Sequence, residues 1–389
     1  MAPRNDIAIY APFAHIFYES VEDSADDDGG AGGAELQTAL LAREMAVRGF
    51  GVAHIVYPLE RDPATVHDSL VVVERGAAVA RRRRSRLGRA LGKLVDAVHT
   101  WRALGAADAR AYMFRTGLSG GSVGFVTGAL FTLLHRRRLV FAASSDLDFA
   151  FGRDDRPWWT EAVYRLALKR ASLVVVQSRR QSELAGQVVD SGRIDVIPSF
   201  AEPGSERRDH NADVGFVWAG RLVEYKLPLR YLQLAKSVPE ARFRMFTIRT
   251  GETPEALSKQ LAEEADQVPN HALGPGQSRE RLLELVAKST AVVVTSRHEG
   301  MPNLFLEAWA RGTPVLSLHF DPDGVIAAEA LGICAGGSWS LFVAGARRLW
   351  GDERLRRELG ERGRAYVRRV HSVEAVAGRW AEVLRATLD

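Results

Sequence analysis

Two carboxylates, Glu299 and Glu307, stand eight positions apart in the stretch TSRHEGMPNLFLEAWARGTPVL, one on each side of Pro302. A core segment needs neither. Gly300 permits close backbone approach, and Pro302 suits the first turn of a helix. The apolar spacing predicts that helix over roughly Leu304–Arg311, stopping at Gly312. A helix start offers unpaired N–H groups and a positive dipole end, a setting for phosphate. A carboxylate repels phosphate, so Glu299 beside that site and Glu307 about one turn inside suit hydroxyls instead. Paired hydroxyls on a ribose or a hexose match the two oxygens of a carboxylate. The plainer alternative makes Glu299 a helix-terminal charge and Glu307 a surface residue.

Cations stand at a comparable place upstream. In AGRLVEYKLP, Gly220 and Arg221 follow the strand-like GFVWA, and Lys226 comes five residues later. The two cations suit a diphosphate and the charge of a leaving group; each alone is equally consistent with surface charge. Near the N-terminus, GGAGGAE follows a strand-like run and opens a helix, but it is no dinucleotide fingerprint. After Gly30 and Gly32, the place of the third glycine is taken by Glu35, and the preceding DDD would repel a pyrophosphate. Gly32 and Gly33 read as part of a loop bordering a ligand site. In SSDLD, Asp146 or Asp148 could touch an acceptor hydroxyl or simply cap a turn. No His/Cys metal-ligand spacing, G-x-S-x-G or P-loop occurs.

These segments need a scaffold that brings loops together, and the rest of the chain predicts one. Apolar runs such as DIAIYAP, VAHIVYP, DSLVVVE, RRLVFAA, ASLVVVQS and RIDVIPSF alternate with helix-like segments such as ELQTALLAREMAVRG. Such alternation implies a parallel sheet covered on both faces. AEPGSERRDHNAD (Ala201–Asp213) interrupts it as a linker. A second series follows in VGFVWAGR, ARFRMFTI, AVVVTS and PVLSLHF, and helix-like, Arg-rich segments run from about Ser340. The expected organisation is two Rossmann-like α/β domains, 1–205 and 206–370, with 371–389 as a C-terminal helix. In parallel sheets ligands bind beyond the carboxyl ends of the strands, where the segments above fall.

Composition agrees with such a protein. The chain has 389 residues, 46% hydrophobic and 26% charged, enough for a core in each half. Its single cysteine, Cys334, allows no internal disulfide and suits the reducing cytosol. The start lacks the pattern of a signal peptide, and GFVTGALFTLL is shorter than the about 20 residues of a membrane span. Net charge is only +4, but RRRRSR (Arg81–Arg86) and HRRR (His135–Arg138) concentrate the positive residues. Such clusters suit anionic lipid or nucleic acid, or merely a solvated face.

The segment SRHEGMPNLFLEAWARGTPV closely resembles the signature of glycosyltransferase family 4, retaining enzymes of GT-B fold, with its two glutamates separated by seven residues. AGRLVEYK, GGAELQTALLAREMAVRGFGV and VVVQSRRQSEL…IDVIPSF resemble further family segments, in the family's order. The resemblance implies two Rossmann-like domains facing across a cleft, with the nucleotide sugar held mainly by the second. It implies that Arg221 and Lys226, with Gly220 beside them, contact the diphosphate. Glu299 then contacts the donor sugar, and Glu307 holds the ribose. Main-chain groups of Gly300, Met301, Pro302, Asn303 and Leu304 lie near phosphate and sugar, and Gly32 and Gly33 border phosphate and acceptor. The C-terminal helix, Val373–Leu388 here, often crosses back to the first domain. The family usually needs no metal, and the leaving diphosphate can assist deprotonation of the acceptor.

Three departures bear on the acceptor and on loop geometry: Ser144 and Ser145 where many relatives have a histidine, Ser199-Phe200 in place of Asn-Gly, and Leu227-Pro228 after Lys226. The leading expectation is a retaining glycosyltransferase, cytoplasmic or peripheral at the inner membrane face, that uses a sugar, lipid-linked or small-molecule acceptor and has no cofactor and no specific nucleic-acid partner. A GT-B sugar-nucleotide epimerase would need an acid/base set not located here. A non-enzymatic binder of nucleic acid or other anions explains the arginines but not the paired glutamates.

Overall fold

The computed structural model describes residues 3–18, 33–59, 67–77, 86–115, 123–152, 158–204, 214–251, 253–297 and 299–389. Gly32, residues 81–85 of the first arginine cluster and linker residues 205–213 lie outside the described residues. The chain forms two compact units. One holds the described residues up to Phe200 together with Glu374–Asp389, the other Ala201–Val373.

The first unit runs β1 (Asn5–Tyr10), α1 (Gly33–Val47), β2 (Val52–Val56), β3 (Leu70–Glu74), α2 (Arg86–Ala107), β4 (Ala109–Phe114), α3 (Val123–Leu134), β5 (Arg138–Ala142), α4 (Trp158–Arg170), β6 (Leu173–Val176), α5 (Arg179–Gly186) and β7 (Ile194–Val196). Its strands form one sheet in the order β3-β2-β1-β4-β5-β6-β7, and every pairing is parallel. Parallel strands joined through helices are covered on both faces, which is why β6 reads as an unbroken apolar run, β2 is interrupted only by His54, and β1 is apolar from Ile7 onward. α3 lies close against the sheet: a Cβ on Gly128 would come within 2.0 Å of the Phe114 ring, so only glycine fits there.

The second unit runs β8 (Phe216–Arg221), α6 (Pro228–Ser237), β9 (Phe243–Ile248), α7 (Glu255–Ala265), β10 (His271–Pro275), α8 (Arg279–Ala287), β11 (Ala291–Val294), α9 (Asn303–Ala310), β12 (Val315–Ser317), α10 (Val325–Ala328), β13 (Gly332–Cys334), α11 (Trp339–Gly351) and α12 (Glu353–Tyr366). The sheet order is β10-β9-β8-β11-β12-β13, again parallel throughout. Counted within each unit, both sheets follow the doubly wound order 3-2-1-4-5-6, the first with one further strand. The order reverses between β1 and β4 in one sheet and between β8 and β11 in the other. Those switch points leave crevices at the strands' carboxyl ends.

A π-helical turn (Val367–His371) follows α12 and leads into α13 (Val373–Leu388). α13 buries Val376, Ala377, Trp380, Ala381 and Leu384. It belongs with the first unit, where Arg110 Nη2 donates to the Leu388 carbonyl at 2.6 Å. No helix among the described residues is long and apolar enough to cross a membrane.

Candidate functional site

The segments singled out from sequence meet at the switch point of the second sheet. Arg221 ends β8, and Lys226 lies in the short turn after it. Thr295 follows β11 and begins the loop that carries Glu299 to α9. Three contacts lock the two loops together, and a fourth, from Trp218, ties them to β8. Thr295 Oγ1 donates to the Lys226 carbonyl at 2.5 Å and accepts from Trp218 Nε1 at 3.1 Å. Arg297 N donates to the Tyr225 carbonyl at 3.1 Å. Lys226 Nζ donates to Glu299 Oε1 at 2.7 Å, both side chains being largely buried. Arg221 Nη2 donates to the Tyr225 hydroxyl at 3.1 Å, which holds the guanidinium beside the same turn.

Gly220 lies over the Lys226 stem, where a Cβ would sit 3.5 Å from Cδ. That spacing is ordinary contact, so the glycine is not required by the protein alone. Leu227, by contrast, adopts the left-handed region at φ 50°, ψ 52°. A branched side chain there costs about 1–2 kcal/mol relative to glycine. The turn therefore holds strain beside Lys226, and Pro228 starts α6 immediately afterwards.

α9 spans Asn303–Ala310, one residue earlier than the apolar spacing predicts, with Pro302 at the N-cap position. Proline offers no side-chain cap, and its carbonyl accepts from Phe305 N at 3.0 Å as the helix begins. Met301 and Leu304 pack partly into the core beneath α9, which fixes the loop. At the other end Gly312 takes φ 71°, and a Cβ there would meet Arg364 Nε at 2.8 Å. Close packing of α12 on that end orients the helix.

Glu307 has partners that no sequence spacing announces. Arg279, first residue of α8, donates through Nη1 to Glu307 Oε1 at 2.6 Å and through Nη2 to Glu202 Oε2 at 2.5 Å. Burial works against the Arg279 charge, but Glu307 and Glu202 outweigh it and hold its pKa above the ordinary value. The guanidinium thus fixes one oxygen of Glu307.

The first unit presents a different set of groups at its strand ends. Asp146 is held by Arg180 Nε at 2.9 Å. Asp148 is 1% exposed; its Oδ2 accepts from Ser144 N at 2.7 Å and Ser145 N at 3.0 Å, a capping role that ties it to the turn. Its Oδ1 has no partner. Burial pushes this carboxyl up to about 6, against its hydrogen bonds and Arg115, which pull it down. Arg115, just past β4, is 8% exposed with its Nε unpartnered. Burial lowers it to about 10, while Glu35 and Asp148 act the other way. Arg115 lines a cavity of about 10 Å³ with Gln37, Gln177, Phe200 and Trp380, room for a single water. Gly33 is the first residue of α1 and is exposed. Among the described residues no group of three or more His, Cys, Asp or Glu side chains could hold a metal ion.

Two doubly wound parallel sheets of this order have the GT-B fold of glycosyltransferases. HepE of Anabaena, solved with UDP-glucose, is similar at a TM-score of 0.73 and 15% identity, covering 98% of this chain and 100% of that one. Sucrose-phosphate synthase of Thermosynechococcus elongatus reaches a TM-score of 0.75 at 16% identity, with 98% and 99% covered. A glycosyltransferase of Rickettsia africae gives 0.67 at 13% identity, with 99% of each chain covered. No curated protein sequence is significantly similar to the chain. Residues 206–366 match the family model described as glycosyl transferases group 1. The paired glutamates and both cations fall inside the matched span.

Proposed function

We propose that the chain is a retaining glycosyltransferase of family 4 that moves a hexose from a nucleoside diphosphate sugar to an acceptor hydroxyl. The observation that carries this reading is the Lys226 Nζ–Glu299 Oε1 contact at 2.7 Å, made across the switch point of the second sheet. It holds a phosphate-neutralising cation beside a hydroxyl-binding carboxylate, as a sugar diphosphate requires. Arg221 and Lys226 neutralise the diphosphate as its bond to the sugar C1 breaks. First-turn amides of α9 face the phosphates, Glu299 holds sugar hydroxyls, and Glu307, fixed by Arg279, holds the ribose. The new bond forms on the face the leaving group departs from, and the acceptor proton passes to the departing phosphate oxygen. HepE was solved with UDP-glucose, which favours a uridine nucleotide as the first donor to try.

The reaction is proposed to need no resident metal or cofactor, and to serve cell-surface glycan, polysaccharide or glycolipid synthesis in the cytoplasm or at the inner membrane face. The test is turnover of UDP-, GDP- and ADP-sugars, with and without EDTA, and NMR of the product anomer. Transfer with the donor's own configuration, insensitive to EDTA, is the expected result. An inverted product refutes retention. Interconversion of sugars without an acceptor would make the protein an epimerase, and nucleotide binding without any turnover would make it a binder.

A further inference from the structure

Three neighbouring helices of the first unit are apolar on the side that should face water. α2 buries Thr100, Ala103, Leu104 and Ala107, yet exposes Leu91, Leu94, Val95 and Val98 at helical spacing on another side. α3 continues the pattern with Leu130, Leu133 and Leu134 exposed, and α4 with Trp159, Val163 and Leu166. Leu94 and Leu134 are each 64% exposed. The helices are packed side by side, with Trp101 against Phe131 at 5.0 Å and Phe125 against Tyr164 at 5.2 Å between ring centroids. Right-handed crossovers into β4, β5 and β6 place all three on one face of the sheet. Scattered exposed leucines are ordinary, but adjacent stripes on three helices form a patch that a free surface rarely keeps.

The charge on this face has one sign. Lys93, Arg102, Arg136, Lys169 and Arg170 are exposed on these helices and the turn after α3. The acidic groups are already taken: Asp96 by Arg75 at 3.5 Å, Asp108 by Arg137 at 3.3 Å and Glu161 by Arg165 at 3.0 Å. An apolar face carrying bases with no acid to spare among the described residues complements an anionic bilayer surface, where side chains enter the acyl boundary and cations meet headgroups. No described helix can span a bilayer, so contact of this kind is peripheral.

We propose that the α2–α3–α4 face docks on an anionic membrane by inserting its leucines, and that the acceptor is accordingly borne on a lipid; the second part rests on the transfer reading above. The full-length protein should sediment with vesicles of phosphatidylglycerol and phosphatidylcholine and much less with phosphatidylcholine alone. Leu94→Ser with Leu166→Ser should weaken partitioning at least about tenfold, since roughly two side chains' burial is lost. Some binding by the wild type should survive 1 M salt. The UDP-induced thermal shift should be the same in wild type and variant, which reports an intact fold. If that variant does not fold, brominated lipid should quench wild-type tryptophan fluorescence more than that of Trp159→Phe. The docking proposal is overturned by equal binding of wild type and variant, by complete release in salt, or by a wild-type dimer that the serine variant loses without vesicle binding. Vesicle binding without any sugar turnover would sink the transfer reading and leave docking intact. Turnover on soluble acceptors without vesicle binding would do the reverse.

Discussion

The ligand edges of the two sheets are built from the same strand order and furnished in opposite ways. In the second unit the charges meet partners: Lys226 holds Glu299, and Arg279 holds both Glu307 and Glu202. In the first, Arg115 and Asp148 are more deeply buried, yet each keeps an atom without a partner. A buried charge lacking hydrogen bonds costs stability, whereas a paired one can be held in place before a ligand arrives. One edge is therefore preset, and the other is held under tension.

The largest effect should come from breaking the preset edge. Lys226→Ala should lower kcat/KM for sugar transfer by about a hundred- to a thousandfold, the scale of losing one charge-stabilising group. A steady-state assay that shows less than a fewfold loss would remove Lys226 from the reaction. Next in size are the two glutamates. Glu307→Ala should raise the nucleotide Kd by about tenfold to a hundredfold by calorimetry, on the scale of a lost charged hydrogen bond. Arg279→Leu should move Kd the same way by a smaller factor, because it acts only through Glu307. Glu299→Ala should instead reduce turnover more than affinity. Equal behaviour of Glu299 and Glu307 would dissolve the division of labour between them.

The first unit should show its tension in stability rather than in rate. Asp148 titrates at about 6 in the folded chain against 3.8 for the free side chain. The folded state thus holds the proton more tightly, so this group's contribution falls as pH rises from about 4 to about 6. Asp148→Asn should lose that fall and gain on the wild type by about 1–3 kcal/mol across the window, read from urea unfolding at several pH values. The smallest effect contrasts two cations directly. Arg115→Met should raise stability by about 1–2 kcal/mol, since a buried guanidinium whose Nε has no partner gives way to an apolar side chain. Lys226→Met should lower it, because Glu299 is left without its partner. A change of the same sign in both would end the comparison between the edges.

Much of this architecture was legible in the sequence, for physical reasons that vary along the chain. Strands buried on both faces declare themselves as short apolar runs, as in β1, β2, β6 and β11. β10 does not, because HALGP is a half-exposed edge strand with Gly and Pro. β4 was missed beside the alanine-rich end of α2. α3 read as a bare apolar stretch, since a helix apolar on both sides has no periodicity to detect. In the candidate site, Glu299, Glu307, Arg221 and Lys226 were marked by local turns and spacing. Arg279 and Glu202 were not, being 28 and 77 positions from the groups they meet. Asp148 looked interchangeable with Asp146; only packing separates the buried cap from the arginine-paired neighbour.

The placement of α13 bears on how the chain matures as it is synthesised. The described strands and helices of the second unit all fall within Ala201–Val373 and are complete once that stretch has left the ribosome. The first unit begins earlier but lacks α13 and the Trp380 side chain that closes its small cavity until much later. The half that emerges first is therefore finished last, and its apolar surface under α13 stays uncovered throughout the synthesis of the other half.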